Sequence, residues 1–378
     1  MDYENFELMR DDIVTKIINS PQQITSNIIF KSDTTPKHDL KPYKSTDFVR
    51  KYDIYGHNLT LEKYFQYYPF LQITSTKKID QNGDKYDEYN ISADIFTNSV
   101  ICSYLITDLY QSTGLPKYGL DGNLITYQAF VNGGVGYKIT TNQRLSLYNF
   151  VKKQKNLTTM KVYSGSNNFL VNCVNLSILT STLIQTFTNL KYLKNKLDFK
   201  SNRCSIDNWF IIKQPVNIKA YNIHHKFQFM ILLGMFDFSE IKYKSPKLRI
   251  NLYQQDEVNE ILNFEDKDNG YYILKPWTSI QINTKTRNNI PLDWDGVLFL
   301  VSMMIVPEIY YAIVSNSYLF DLLITKTFHP NEVDRLMSGI KNCVERRIES
   351  NYEKALNLAT GIRFKIGMID RIVSYFES

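Results

Sequence analysis

Apolar side chains recur at helical spacing from the first residues, with Phe6, Met9, Ile13 and Ile17 on one face and Glu4, Arg10, Asp11 and Lys16 off it. The spacing predicts an amphipathic helix that ends before Pro21. A second apolar run, Ile24 to Phe30, precedes Lys31 to Asp47 (KSDTTPKHDLKPYKSTD). Its two prolines and lack of anything to bury predict an extended, solvent-exposed connector. A helix with an unpartnered apolar face on an extendable arm can fold back on its own body or dock on a neighbouring subunit. Phe6, Met9, Ile13 and Ile17 are therefore the self-association candidates.

From Tyr64 to about Gln281 the pattern shifts towards strands. Phe70 to Ile79 and Tyr86 to Phe96 flank Asp80-Gln81-Asn82-Gly83-Asp84, and an Asn-Gly pair between such runs signals a hairpin. Further β-rich runs are Leu124 to Val131, Gly136 to Thr140, Met160 to Tyr163, Trp209 to Ile212, Val216 to Ile223, Lys226 to Phe236, Lys247 to Tyr253 and Tyr271 to Leu274. Val100 to Tyr110 and Leu176 to Leu197 are long and periodic enough to read as helices, against the drag of their β-branched residues.

The longest apolar run, Val297 to Val314, is interrupted by Pro307 and Glu308 and flanked by Asp293, Asp295 and Asp321. A spanning helix needs about 20 uninterrupted apolar residues, so a buried helix or helix pair is expected and no membrane span. After His329, Pro330 suits a first helical turn, and apolar positions recur from Val333 to Val373, as one helix or two broken near Gly361 or Gly367. The expected fold class is α+β: an antiparallel β-rich central body over 48–290, with a jelly-roll-like sandwich as one form. It is flanked by the N-terminal helix and arm over 1–47 and a long C-terminal helical segment over 291–378. A largely helical shell protein is the alternative, because short apolar runs do not distinguish strand from helix.

Composition fits a folded chain: of 378 residues, 43% are hydrophobic and 22% charged. The surplus of Asn, Ile, Lys and Tyr resembles the coding bias of an AT-rich genome, viral sources among them. The start is acidic and amphipathic where a signal peptide would be basic and then apolar, so secretion is not expected. Cys102, Cys173, Cys204 and Cys343 never form a CxxC pair, which argues against structural zinc or a disulfide framework.

No stretch carries a strong catalytic, cofactor or metal motif, and none of these residue classes is assigned. Val131 to Lys138 (VNGGVGYK) holds glycines but lacks the Ser or Thr and the helix that a phosphate loop needs, so a hairpin turn is expected. His224 and His225 would point to opposite faces of a strand. Asp293 and Asp295 precede a helix and are expected to cap it. An enzyme would have to gather a histidine with distant carboxylates such as Asp237, Asp293 or Asp295.

The net charge of +6 is modest, so nucleic-acid binding would need local patches. Three lysine clusters are candidates: Lys152, Lys153 and Lys155; Lys191, Lys194, Lys196, Lys200 and Arg203; and Lys242, Lys244, Lys247 and Arg249, which interleave with Tyr243. The 27 tyrosines, including the pairs Tyr67-Tyr68, Tyr271-Tyr272 and Tyr310-Tyr311, suit interfaces. These features predict a non-enzymatic, self-assembling structural protein, a capsid, nucleocapsid or other virion component, resident in the virion or host cytoplasm and partnered by itself. The alternative is a nucleic-acid-binding replication or transcription accessory protein.

Overall fold

The computed structural model describes residues 43–46, 49–54, 57–64, 71–112, 122–124, 126–132, 135–141, 145–153, 158–164, 167–213, 215–234, 236–244, 248–254, 264–267, 270–274 and 291–377. The expected N-terminal helix, with Phe6, Met9, Ile13 and Ile17, lies outside them, as do Lys155 and Lys247. Mixed helices and sheets make the described region α+β.

Along the chain come strands β1 (Tyr43–Thr46), β2 (Val49–Ile54), β3 (His57–Tyr64), β4 (Leu71–Ile79) and β5 (Lys85–Ala93), then helix α1 (Ile95–Ser112). Next are β6 (Thr126–Asn132), β7 (Val135–Thr141), α2 (Leu147–Lys152), β8 (Thr158–Ser164), β9 (Asn167–Cys173) and α3 (Leu176–Leu197). Then follow β10 (Trp209–Ile212), β11 (Val216–Ala220), β12 (Ile223–Phe227), β13 (Met230–Leu233), β14 (Ile241–Lys244), β15 (Leu248–Gln254), β16 (Phe264–Lys267) and β17 (Tyr271–Leu274). The C-terminal part holds α4 (Trp294–Met304), α5 (Pro307–Val314), α6 (Ser317–Phe320), α7 (Pro330–Glu345), α8 (Tyr352–Ala359), β18 (Arg363–Lys365) and α9 (Met368–Phe376).

The chain forms two compact units that interleave in sequence: Met1–Arg144, Leu193–Ser201 and Leu232–Glu257 in the first, Leu145–Tyr192, Asn202–Ile231 and Val258–Ser378 in the second. The first unit has an antiparallel sheet in the order β1-β2-β3-β7-β6 and a second in the order β14-β15-β5-β4. The second sheet is mixed, because β15 runs parallel to β5, Leu248 opposite Asp87. Purely antiparallel pairing, the expectation from sequence, therefore does not hold for it. Helix α1 packs against β5, β15 and β6 and buries Phe96, Val100, Ile101, Leu105 and Ile106.

The predicted hairpin is present between β4 and β5, with Ile79 opposite Lys85 and Gly83 at φ +86°. Asp80 Oδ1 accepts from the backbone N–H of Asn82 and of Asp84, both at 2.9 Å, the short-range bonding that makes Asp a turn residue. The strand stops at Ala93, not at Phe96. Asp94 Oδ1 accepts from Phe96 N at 3.0 Å and Thr97 N at 3.1 Å, an N-cap that starts α1 five residues earlier than the apolar pattern shows. Two further expected strands are divided. Tyr221 and Asn222 take positive φ of 51° and 60° and fold Val216 to Phe227 into a hairpin. Beyond it, the Gln185 amide donates to Phe229 O at 3.0 Å and accepts from Ile231 N at 3.0 Å.

In the second unit α4 and α5 divide the long apolar run, bent by 101° with Pro307 opening α5. No single helix among the described residues is long and apolar enough to cross a membrane. Beyond Pro330 the chain makes three helices and a strand instead of one or two helices. Arg347 (φ 53°) follows α7, while Gly361 (φ 74°) and Gly367 (φ 75°) bracket β18, which pairs with β17.

Gly136 on β7 lies so close to Phe96 that a Cβ there would sit 2.8 Å from the ring. Because that ring is buried and has nowhere to move, Gly136→Ala is predicted to destabilise the chain by about 1–3 kcal/mol. Urea unfolding of the two proteins measures this, and equal midpoints would contradict it.

Candidate association surface and a buried ion pair

In the second unit β9, α5 and α6 each carry an exposed apolar side chain. β9 pairs with β8 as a two-stranded hairpin, and α5 packs along it. Val174 N donates to Glu308 O at 2.9 Å, which fixes where strand and helix meet. The helix then carries Val314 to its exposed end, and the Asn316 cap, accepting from Leu319 N at 3.0 Å, starts α6 with Tyr318 facing water. Leu170 is 70% exposed, Tyr318 77% and Val314 40%, with Leu176 also exposed at the start of α3. Single exposed apolar residues are ordinary, and here those of β9, α5 and α6 stand on elements that pack on one another. The sequence drew attention to the pair Tyr310-Tyr311, whose rings meet edge-on at 5.1 Å. The more exposed Tyr318 was not singled out, because the cap that turns it outward is a tertiary outcome.

The first unit buries a charge pair. Lys138 Nζ lies 2.9 Å from Glu62 Oε2 and donates to Ser99 Oγ at 2.6 Å. The strands on either side of the glycine run before Lys138 pair, with Asn132 opposite Val135 in the β6–β7 pair, while Gly133 and Gly134 of the expected hairpin turn lie outside the described residues. What the sequence hid is that β3 and β7 pair with Glu62 opposite Lys138. Beside them Asn98 donates to the carbonyls of Phe236 (3.3 Å), Asp237 (3.2 Å) and Ser239 (3.0 Å), gathering the segment after β13 against α1. Burial pushes the Cys102 thiol far above its ordinary range, only partly opposed by the neighbouring Ser239 and the Lys138 ammonium. The buried Ser239 hydroxyl has no strong hydrogen-bond partner, and Asn98 Oδ1 has none.

The lysine clusters are divided between the units. In the second, Lys152 and Lys153 are exposed at the end of α2, Lys152 lying 4.4 Å over the Tyr148 ring. Lys191 sits 3.4 Å from Glu377, 3.9 Å from Asp370 and over the Tyr221 ring. In the first, Lys244 reaches Asp198 at 3.6 Å, Lys194 is half-buried, and Lys196 and Lys242 are exposed. Arg249 stacks 3.8 Å from the Tyr86 ring centre and donates to its hydroxyl at 2.9 Å. His224 and His225 are exposed on β12, and among the described residues no three His, Cys, Asp or Glu side chains cluster as metal ligands.

Asp293 and Asp295 do not cap the helix they open. Asp293 accepts from Gly367 N at 2.8 Å and Ile369 N at 3.1 Å, while Asp295 accepts from Asn202 N at 3.1 Å. Both carboxylates hold distant backbone in place.

No protein-family model and no curated protein matches the chain. Among solved structures, a crystallographic kinase domain matches at 9% identity and a TM-score of 0.28, over 58% of this chain and 57% of that one. That likeness is below the level that defines a fold.

Removing one partner of a buried pair strands the other charge, so Lys138→Met is predicted to cost about 3–5 kcal/mol, with most of it restored when Glu62→Leu is added. Urea unfolding of the two single variants and the double variant tests this. A double variant as unstable as Lys138→Met alone would show that the pair is not the cause.

Proposed function

We propose that this chain is a non-enzymatic structural protein that works by self-association, as a capsid, nucleocapsid or other virion component does. The observation that carries the reading is the exposed apolar surface of Leu170, Val314 and Tyr318 in the second unit. Covering such surface stabilises association by about 25 cal/mol per Å² removed from water. A jelly-roll-like arrangement of the first unit's strands is the finer architectural form of the same proposal. Nucleic-acid binding has less to draw on, because Lys191 and Lys244 already face carboxylates. Sedimentation of the full chain across a concentration series is predicted to show oligomers, and Leu170→Asp with Tyr318→Asp to shift the midpoint at least about tenfold, the effect of losing 1.4 kcal/mol. A monomer at every concentration and salt would reject the reading.

A further inference from the structure

Among the described residues, strand β4 ends its sheet. In the order β14-β15-β5-β4 all nine of its residues, Leu71 to Ile79, pair with β5 on one side. Gln72 and every residue from Thr74 to Ile79 are exposed, so both faces of its outer half meet water as well as its edge, and Ile79 is 64% exposed. An edge of this length presents a row of unpaired N–H and C=O groups, a template for another strand.

Natural edges are usually blunted by proline, glycine bulges or charge. β4 has neither proline nor glycine, and its first six residues, Leu71-Gln72-Ile73-Thr74-Ser75-Thr76, carry no charge. Its two lysines are matched from within the hairpin, since Lys78 forms an ion pair with Glu88 on β5 and Lys77 stands opposite Asp87. The guard that lysines usually supply against an incoming strand is thereby weakened.

Resting on the self-association reading, we propose that β4 pairs with β4 of a second copy, antiparallel about a twofold axis at Ser75, joining two four-stranded sheets into one. The position of the lysines selects this partner and this direction. Parallel pairing in register would set Lys77 and Lys78 directly against their counterparts, a like-charge contact that destabilises a sheet. In the antiparallel arrangement Lys77 faces Ile73 of the second copy. The two Lys77 side chains then stand four residues apart along the strand, about 14 Å, beyond the screening length of about 8 Å at physiological salt. A twofold contact of this kind is closed, so it produces dimers that other surfaces can link further.

Single-cysteine additions to the full chain test the register, because Cys102, Cys173, Cys204 and Cys343 are buried and a short bismaleimide will find the introduced thiol first. At a concentration where sedimentation shows association, Ser75→Cys is expected to cross-link into dimers at least about tenfold more than Lys78→Cys, whose two copies would lie about 20 Å apart along the strand. Equal cross-linking at both positions, or a preference for Lys78→Cys, overturns the antiparallel pairing. Oligomers that form without cross-linking at either position overturn the β4 contact and leave self-association standing. A chain that stays monomeric overturns both.

Discussion

Helix α4 has no polar face: all eleven of its residues are buried. Such a helix must be covered on every side, and the second unit is arranged around that demand. Phe299 meets Phe187 at 5.9 Å and Trp209 at 5.6 Å, while Trp294 meets Phe364 at 5.7 Å. Gly296 leaves room for Ile369 and Phe187, since a Cβ there would meet Ile369 at 2.9 Å. The polar atoms taken in with the helix are used as anchors. Asp293 accepts backbone N–H groups at the start of α9 and Asp295 accepts one from Asn202, and Ser302 Oγ accepts from Ile206 N at 2.8 Å while donating to Phe299 O. Bonds from amides to a buried carboxylate are stronger than neutral ones, which offsets part of the cost of burying the charge.

Local signals were legible where one residue settles the backbone. Asn82-Gly83 placed the β4–β5 turn, and the periodicity of Leu176 to Leu197 placed α3 with its bounds. What stayed hidden depends on partners far along the chain. Asp94 ends β5 because its carboxylate caps α1, yet nothing in an alternating apolar run marks where the last strand residue falls. The segment Lys226 to Phe236 reads as one strand until Gln185, more than forty residues earlier, takes both hydrogen bonds at Phe229 and Ile231. The parallel pairing of β15 with β5 is hidden for the same reason, since register between strands so far apart leaves no trace in either strand's own pattern.

The site residues divide along the same line. Asp293 and Asp295 were conspicuous because two carboxylates flank a tryptophan, but helix proximity suggested the wrong recipient for their hydrogen bonds. Lys138 was conspicuous only as the end of a glycine run, and its meaning changed once β3 and β7 placed Glu62 across from it. Nothing about Leu170 or Tyr318 as isolated letters distinguishes them from core residues. An apolar residue declares itself as surface only after the neighbours that fail to cover it are known.

Burial also decides what the cysteines can do. It raises the Cys102, Cys173, Cys204 and Cys343 thiols above their ordinary range, and the thiolate is the nucleophilic form. Near neutral pH these four sulfurs therefore act as small apolar packing groups. Apolar side chains on α5, α6 and β9, and the outer half of β4, stay open to solvent. Among the described residues, the buried polar groups of Asn98, Asp293 and Asp295 are spent on holding backbone segments in place.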